Sequence, residues 1–331
     1  MPAFVVVGAT SWGVTLAGVL SLNHELVVLV ARNPPEAELV RARRGIVRLP
    51  EVLLNGRVEV VSDPPPPGDA AGIVFAVPAQ SLRASALRFA QHRGVPVLSA
   101  AKGIELTTGL RMSEVLAEQW PPELIAALSG PNLAHEVGRG LPAAAVVASA
   151  GAATGLLWQN ALATPSFRLY TSNDVTGVEL AGALKNVVAI AAGAAVGMNL
   201  GANAVAAIVT RGLAEITRLG LALGAQQSTF SGLAGVGDLT VTCFSPLSRN
   251  HRLGELLAAG IDPAAALKQI GEAVEGAATA GVAVQLAARA GVEMPIAREV
   301  AAVLKGERRV AEAMSALLTR PLGPESQPAG R

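Results

Sequence analysis

Few residues in this chain could do chemistry, and one of them stands in an unusual place. The stretch ELAGALKNVVAIAAGAAVG, residues 179 to 197, sets Lys185 and Asn186 in the middle of a helix covered on every face by alanine, leucine and valine. A helix that is hydrophobic all round is a buried one. A buried ammonium is costly unless it is paired or gives up its proton. Lysine occurs only at Lys102, Lys185, Lys268 and Lys305, while arginine supplies almost all other positive charge. Arginine stays charged in proteins, whereas lysine shifts its pKa readily, so Lys185 fits a proton-transfer group. The other reading is a lysine that snorkels from a helix end.

Three further stretches carry polar groups in suggestive positions. AAKGIE (100–105) puts Lys102 just beyond a predicted strand. That is the carboxyl edge, where ligands bind in open α/β sheets. SGPNLAHEV (129–137), with Gly130, Asn132 and Ala134, reads as a strand followed by a turn and a helix start. GLAGVGDLTVTCFSPLSRN (232–250) reads as a glycine-rich loop outside the core, carrying Asp238, Thr240, Thr242, Arg249 and Asn250. A lysine, an aspartate and an Arg-Asn pair together suit an anionic substrate. The structural alternatives are a turn residue for Asp238, a surface helix start for Arg249-Asn250, and a first-turn helix charge for Glu275. Cys243 reads as a packed small residue, since no histidine is arranged to activate it.

The first predicted strand ends in GATSWG, residues 8 to 13. Gly8 and Gly13 match the first and third glycines of GxGxxG, between a strand and a helix as that motif requires. Thr10 stands at the second glycine, where a backbone normally approaches a pyrophosphate; a purely structural turn is the alternative. Backbone N–H groups at the helix start suit phosphate. The second strand runs into LVARNPPE, with Arg32 and no acid at the strand end. An acid there would grip the ribose 2′-hydroxyl of NADH, whereas an arginine suits a 2′-phosphate. NADPH is therefore favoured over NADH, with an ordinary surface arginine as the alternative.

These residues need elements to position them. The first half alternates β-branched runs at 4–8, 26–31, 58–61, 72–77, 96–101, 125–130 and 143–149 with helical patterns. That is the signature of βαβ units and a parallel, doubly wound sheet of the Rossmann type. DPPPPGD (63–69) reads as a rigid loop. Strand signals stop after about residue 170, and helical patterns follow at 176–197, 202–223, 252–259, 263–269, 276–290, 296–304 and 309–318. The expected organisation is an α/β dinucleotide-binding domain over 1–173, an all-α domain over 174–319, and a disordered Pro- and Gly-rich tail over 320–331.

Composition narrows the class. With 331 residues the chain has the length of two domains, and 51% hydrophobic residues with a net charge of +1 give no electrostatic case for nucleic acid. A single cysteine rules out an intramolecular disulfide and fits a reducing, cytoplasmic compartment. No cysteine or histidine cluster offers a metal site. The apolar N-terminus lacks the basic flank of a signal peptide. The uncharged stretch 140–167 contains Pro142, Gln159 and Asn160 and reads as a strand and a short helix, so no membrane span is expected.

Taken in order, the W-G of GATSWG, AAKGIE, SGPNLAHEV, ELAGALKNVVAIAAG, NAVAAIVTRGLAEI, GLAGVGDLTVTC, LSRN and VEG resemble the NAD(P)-dependent sn-glycerol-3-phosphate dehydrogenases of the bacterial single-chain type, from about residue 4 to about 310. The resemblance implies interconversion of dihydroxyacetone phosphate and sn-glycerol 3-phosphate, supplying phospholipid synthesis, and it allows a homodimer. It makes Lys185 the catalytic lysine, completed by Lys102 and Asp238. It gives Lys102, Gly130, Asn132, Lys185, Asn186, Asp238, Thr242, Ser248, Arg249 and Asn250 to the substrate. It gives Gly8, Thr10, Ser11, Trp12, Gly13, Arg32, Lys102, Ala134, Arg249, Ala273 and Glu275 to the dinucleotide. Three positions depart from the family pattern: Thr10 replaces a glycine, Asn132 stands where many members have Ser or Thr, and the segment 198–203 keeps its final Asn203 but not the acidic or amide residue that often precedes it.

The implied chemistry needs a hydride transfer and a proton transfer at C2, with Lys185 as proton donor or acceptor in the cleft between the domains. Burial and a second cation such as Lys102 would lower a lysine from its ordinary value of about 10.4. Two other readings fit many of the same residues: another two-domain reductase of the hydroxyacid dehydrogenase or ketopantoate reductase type, and a non-catalytic dinucleotide sensor.

Overall fold

AFVVV and VVLV, buried at every position, form neighbouring parallel strands, β1 (Ala3–Val7) and β2 (Val27–Val30). Continuous aliphatic runs of this kind mark strands covered on both faces. The computed structural model describes residues 2–319 and carries these runs into an eight-stranded sheet. The expected disordered tail lies outside the described residues. The other strands are β3 (Val58–Val61), β4 (Ala70–Phe75), β5 (Val97–Ser99), β6 (Ile125–Ser129), β7 (Ala143–Ser149) and β8 (Phe167–Ser172). Their order across the sheet is β3-β2-β1-β4-β5-β6-β7-β8. Its first six members reproduce the doubly wound arrangement, in which ligands bind outside the carboxyl ends of the strands.

Two features depart from the sequence expectation. β7 pairs antiparallel with β6, while β8 pairs parallel with β7. A parallel crossover needs an element that crosses the sheet. The β6–β7 connection carries only the five-residue α5 (Ala134–Gly138), which is tied to α1 (Ser11–Asn23) by Thr15 Oγ1 donating to the Ala134 carbonyl at 3.1 Å. The second departure is β8 itself, FRLYTS, where no strand was expected.

Helices cover both faces of the sheet: α1, α2 (Pro34–Arg43), α3 (Leu82–Arg88), α4 (Met112–Ala117), α5 and α6 (Ala152–Leu162). Their cores separate by face. One gathers Val6, Leu16, Leu29, Leu98 and Trp158, and the other Val5, Phe75, Phe89, Trp120 and Ile125. Each such side chain contributes about 1.5–3 kcal/mol when fully buried.

The remaining helices are α7 (Val175–Gly197), α8 (Gly201–Ala222), α9 (Gln227–Phe230), α10 (Asp238–Phe244), α11 (Arg249–Ala258), α12 (Pro263–Ile270), α13 (Glu275–Arg289), α14 (Pro295–Leu304) and α15 (Val310–Leu318). The chain divides into two compact units, one ending at Glu179 and one beginning at Leu180, so the division falls inside α7. α7 is long and apolar enough to cross a membrane, but 89% of its most apolar window is buried inside the protein, as befits a core helix. In the first unit, the carboxylate of Glu179 accepts from the Ser113 backbone N–H at 2.7 Å and from an Arg111 Nη at 2.9 Å. Burial pushes its pKa up, and Arg111 and Ser113 oppose that rise. In the second unit, buried Glu215 of α8 accepts from the N–H groups of Ile296 and Ala297 at 2.8 and 3.3 Å. These are first-turn donors of α14 that have no partner within their own helix.

The region 232–250 is a correction. It is a π-helical turn (Leu233–Gly237), then α10, a short connection, and the start of α11. Ala234, Asp238, Leu239, Thr242, Cys243, Ser248 and Asn250 are buried, so the segment belongs to the core of the helical unit.

Candidate functional site

In the first unit, the glycine turn sits at the carboxyl end of β1. Gly8 has φ +109°, and a Cβ there would lie 2.8 Å from Val77 Cγ1. The left-handed region and the lack of space both demand glycine. A side chain at Gly13 would run into the Gly8 carbonyl, so the helix packs directly on the turn. Thr10 has an extended backbone (φ −81°, ψ 169°) and caps α1: its Oγ1 accepts from the Gly13 N–H at 3.0 Å and donates to the Ala76 carbonyl of the β4 edge at 2.7 Å. The position therefore requires no glycine, and threonine locks the turn onto the neighbouring strand.

This turn fits a dinucleotide phosphate. α1 has thirteen residues and no acid in its first turn, and the N–H groups of Ser11 and Trp12 belong to the first-turn set that no helical carbonyl satisfies. The Trp12 ring packs edge-on to Phe167 at 6.3 Å. Its indole N–H is buried with no hydrogen-bond partner among the described residues.

Also in the first unit, Lys102 Nζ donates to the Gly130 carbonyl at 2.8 Å. Beside it, Asn132 Nδ2 donates to the Ala144 carbonyl at 3.0 Å, and Asn132 Oδ1 is buried with no protein donor among the described residues. Ala134 opens α5 and is held to α1 as described above. Arg32 lies two residues past β2 with its side chain 78% exposed. Its guanidinium meets Glu36 Oε1 at 3.2 Å, and its backbone N–H donates to Glu36 Oε2 at 2.7 Å. An acid does stand at the end of β2, brought there by α2. The sequence reading missed it, although Asn33-x-x-Glu36 has the spacing of a helix-capping pair.

In the second unit, α7 presents Lys185 to α10. The Lys185 ammonium donates to Asp238 Oδ1, forming an ion pair, and to Thr242 Oγ1 at 2.7 Å. Thr242 in turn donates to the Asp238 carbonyl at 2.6 Å, one turn back along α10. Lys185 and Asp238 side chains are only 7% and 1% exposed, which rules out the snorkelling reading. The stated spacing of four residues between Asp238 and Thr242 puts both acceptors on one face of α10. Cys243 is buried close by; burial pushes its thiol up to about 12, with Asp238 adding to the rise and Lys185 opposing it. It is a packed residue, as its sequence context suggests.

Asn186, the next residue along α7, belongs to a second array. Asn250 Nδ2 donates to Asn186 Oδ1 at 2.9 Å, and Asn250 Oδ1 accepts from the Gly276 N–H at 2.9 Å. The two amides thus join α7, α11 and the start of α13. A side chain at Gly276 would meet Asn250 Oδ1 at 2.7 Å, so α13 docks only with glycine there. In the sequence Gly276 stands only as the last residue of VEG, with no role assigned to it. Ser248 caps α11, accepting from the His251 N–H at 3.2 Å. Arg249 is half exposed and pairs with Glu272 at 3.3 Å. Ala273 and Glu275 flank Val274, the N-cap of α13.

Comparison with known proteins covers both units. Residues 3–154 match the family model of the NAD-dependent glycerol-3-phosphate dehydrogenase N-terminus, and residues 174–315 match that of its C-terminus. The chain is 44% identical to glycerol-3-phosphate dehydrogenase (NAD(P)+) of Caulobacter vibrioides, over 97% of this chain and 98% of the relative. It is 43% identical to the enzyme of the same name from Moorella thermoacetica, over 96% of each chain. The crystal structure of glycerol-3-phosphate dehydrogenase from Coxiella burnetii superposes with a TM-score of 0.90 at 32% identity, covering 96% of this chain and 99% of that one. The chain therefore belongs to the NAD-dependent glycerol-3-phosphate dehydrogenase family.

Proposed function

We propose that this protein interconverts dihydroxyacetone phosphate and sn-glycerol 3-phosphate with NADPH or NADH, and that Lys185 moves the proton. The observation that carries the reading is an ammonium buried in an apolar helix and aimed by two acceptors on one face of α10, Asp238 and Thr242. When bound, the nicotinamide gives or takes the hydride at C2. In the reducing direction Lys185 Nζ passes a proton to the C2 oxygen, leaving the N–H electron pair on nitrogen as a neutral amine. In the oxidising direction the amine takes that proton back. Asp238 keeps the lysine charged until the oxygen claims the proton, and Thr242 fixes its direction. A positioned acid of this kind contributes about 10²–10⁴ in rate.

The remaining roles follow from residue type and place. Ser11 and Trp12 offer backbone N–H groups to the dinucleotide phosphates from the Gly8–Gly13 turn. Arg32 takes the 2′-phosphate of NADPH, and Ala134, Ala273 and Glu275 complete the dinucleotide contacts. Lys102, with Gly130 and Asn132 beside it, serves the reacting end of both ligands. Arg249 and Ser248 hold the substrate phosphate, while Asn186 and Asn250 keep α7, α11 and α13 in register. The same proposal places the enzyme in the cytoplasm, as a homodimer supplying glycerol phosphate for phospholipid synthesis.

Arg249 tests the substrate class. A guanidinium holds phosphate through two charge-assisted hydrogen bonds, a geometry lysine lacks. Hydrogen bonds to a charged group are worth roughly 1.5–3 kcal/mol, or about ten- to a hundredfold in rate. Arg249→Ala is expected to cut kcat/KM for dihydroxyacetone phosphate at least about tenfold more than for dihydroxyacetone with free phosphite, and Arg249→Lys to restore part of the loss. Equal losses on both substrates would assign Arg249 to the dinucleotide alone.

A further inference from the structure

The carboxyl ends of β1 and β2 lie side by side: Val7 pairs with Val30, and the Gly8 N–H donates to the Val30 carbonyl at 2.9 Å. The phosphate-binding turn and the Arg32–Glu36 pair therefore share one edge of the sheet. In this fold a dinucleotide held on the turn brings its adenosine ribose to the end of β2. Glu36 is fixed there by more than an exposed ion pair. Its own N–H donates to Asn33 Oδ1 at 3.0 Å, which caps α2. Its carboxylate takes the Arg32 backbone N–H and the Arg32 guanidinium together. Position in the first turn of α2 also favours a negative charge. The chain thus sets a carboxylate and a guanidinium at the place where a 2′-hydroxyl and a 2′-phosphate are told apart.

We infer that Glu36 is a specificity-determining residue, forming with Arg32 a two-way reader of the adenosine ribose; this rests on the proposed dinucleotide role of the first unit. The Glu36 carboxylate accepts a hydrogen bond from the 2′-hydroxyl of NADH. The same carboxylate repels a 2′-phosphate and occupies the guanidinium that would bind it, so it holds the NADPH preference of Arg32 in check. Removing the charge should release both effects in one direction.

The test is a fluorescence titration of the purified full chain with NADPH and with NADH, alongside Tm as a check on folding. Glu36→Gln keeps an oxygen for the Arg32 N–H, so α2 stays capped. It is expected to tighten NADPH and weaken NADH, moving the ratio of their Kd values about tenfold towards NADPH. In Arg32→Ala/Glu36→Gln the gain for NADPH should vanish while the weakening for NADH remains. If both cofactors bind Glu36→Gln with the wild-type ratio, or the ratio moves towards NADH, the assignment of Glu36 is overturned while the dinucleotide role stands. If the wild-type chain binds neither, the dinucleotide role falls, and the inference with it.

Discussion

Lys185→Met is expected to fold, to bind dinucleotide, and to reduce dihydroxyacetone phosphate about 10²–10⁴-fold more slowly than the wild-type chain. Methionine keeps much of the length of lysine and suits a site where the side chain is 7% exposed. What it removes is the ammonium, and with it the proton that the C2 oxygen must receive. The residues one turn away from Lys185 on α7, Ala181, Val188 and Ala189, are apolar and suit a methionine beside them. The variant leaves Asp238 buried without its cation. An unpaired buried carboxylate takes up a proton more readily. A loss of stability of about 3–5 kcal/mol near neutrality, shrinking as pH falls, is therefore expected. The separation of the two readouts matters: cofactor titration should be near wild type, while kcat collapses. A purified Lys185→Met chain with kcat near that of the wild type would remove Lys185 from the chemistry.

Asp238→Asn attacks the same pair from the other side, and its largest effect is on stability. Asp238 is 1% exposed and holds the buried ammonium of Lys185. Removing one partner of a buried ion pair costs about 3–5 kcal/mol, because the other charge is left without compensation. Lysine can escape by losing its proton, since a dry site without a counter-charge disfavours the ammonium. The sign of the pH effect follows. In this variant the folded chain holds the Lys185 proton less tightly than the unfolded chain, so stability rises with pH until the unfolded lysine also titrates. The destabilisation measured by denaturant titration should be full near neutrality and smaller in alkaline buffer. Reduction needs the ammonium, so the alkaline fall of kcat/KM should move to lower pH. A variant as stable as wild type, with an unmoved alkaline limb, would show that Asp238 does not govern the charge on Lys185.

Much of the fold was legible because its cause is local. Runs such as AFVVV and IAALS are buried on both faces and need no partner to declare themselves. The long helices α7 and α8 were equally plain. β8 was missed because it is an edge strand, burying Phe167 and Leu169 while Arg168 and Tyr170 stay exposed. Its period-two pattern is short and lies against the boundary where helices begin. The direction of β7 has no local signature at all; it is set by what the preceding connection can span. The segment 232–250 misled for a different reason. Its glycines and β-branched residues read as turn chemistry, yet they fill a π-helical turn and α10 packed inside the helical unit.

The site divides along the same line. Lys185 was conspicuous by itself, an ammonium among alanines. Its pairing with Asp238 spans 53 residues of sequence and was reachable only through resemblance to a family. The resemblance gives Asn186 and Asn250 to the substrate; what it could not convey is that their amides are bonded to each other and to the start of α13. Thr10, read as a flaw in the glycine motif, is a helix cap. Glu36 is hard to see in the sequence because it lies six residues past the end of β2, and the first turn of α2 delivers it to the strand end.

The most direct measurement of the central claim is a steady-state assay of the purified wild-type chain with dihydroxyacetone phosphate, using NADPH and NADH in turn, with the product identified by its stereochemistry. Reduction of dihydroxyacetone phosphate to sn-glycerol 3-phosphate, with NADPH used at least as well as NADH and unphosphorylated dihydroxyacetone reduced far more slowly, is the predicted result. Binding of both ligands without turnover, or preferential reduction of an unphosphorylated 2-oxo acid, would contradict it.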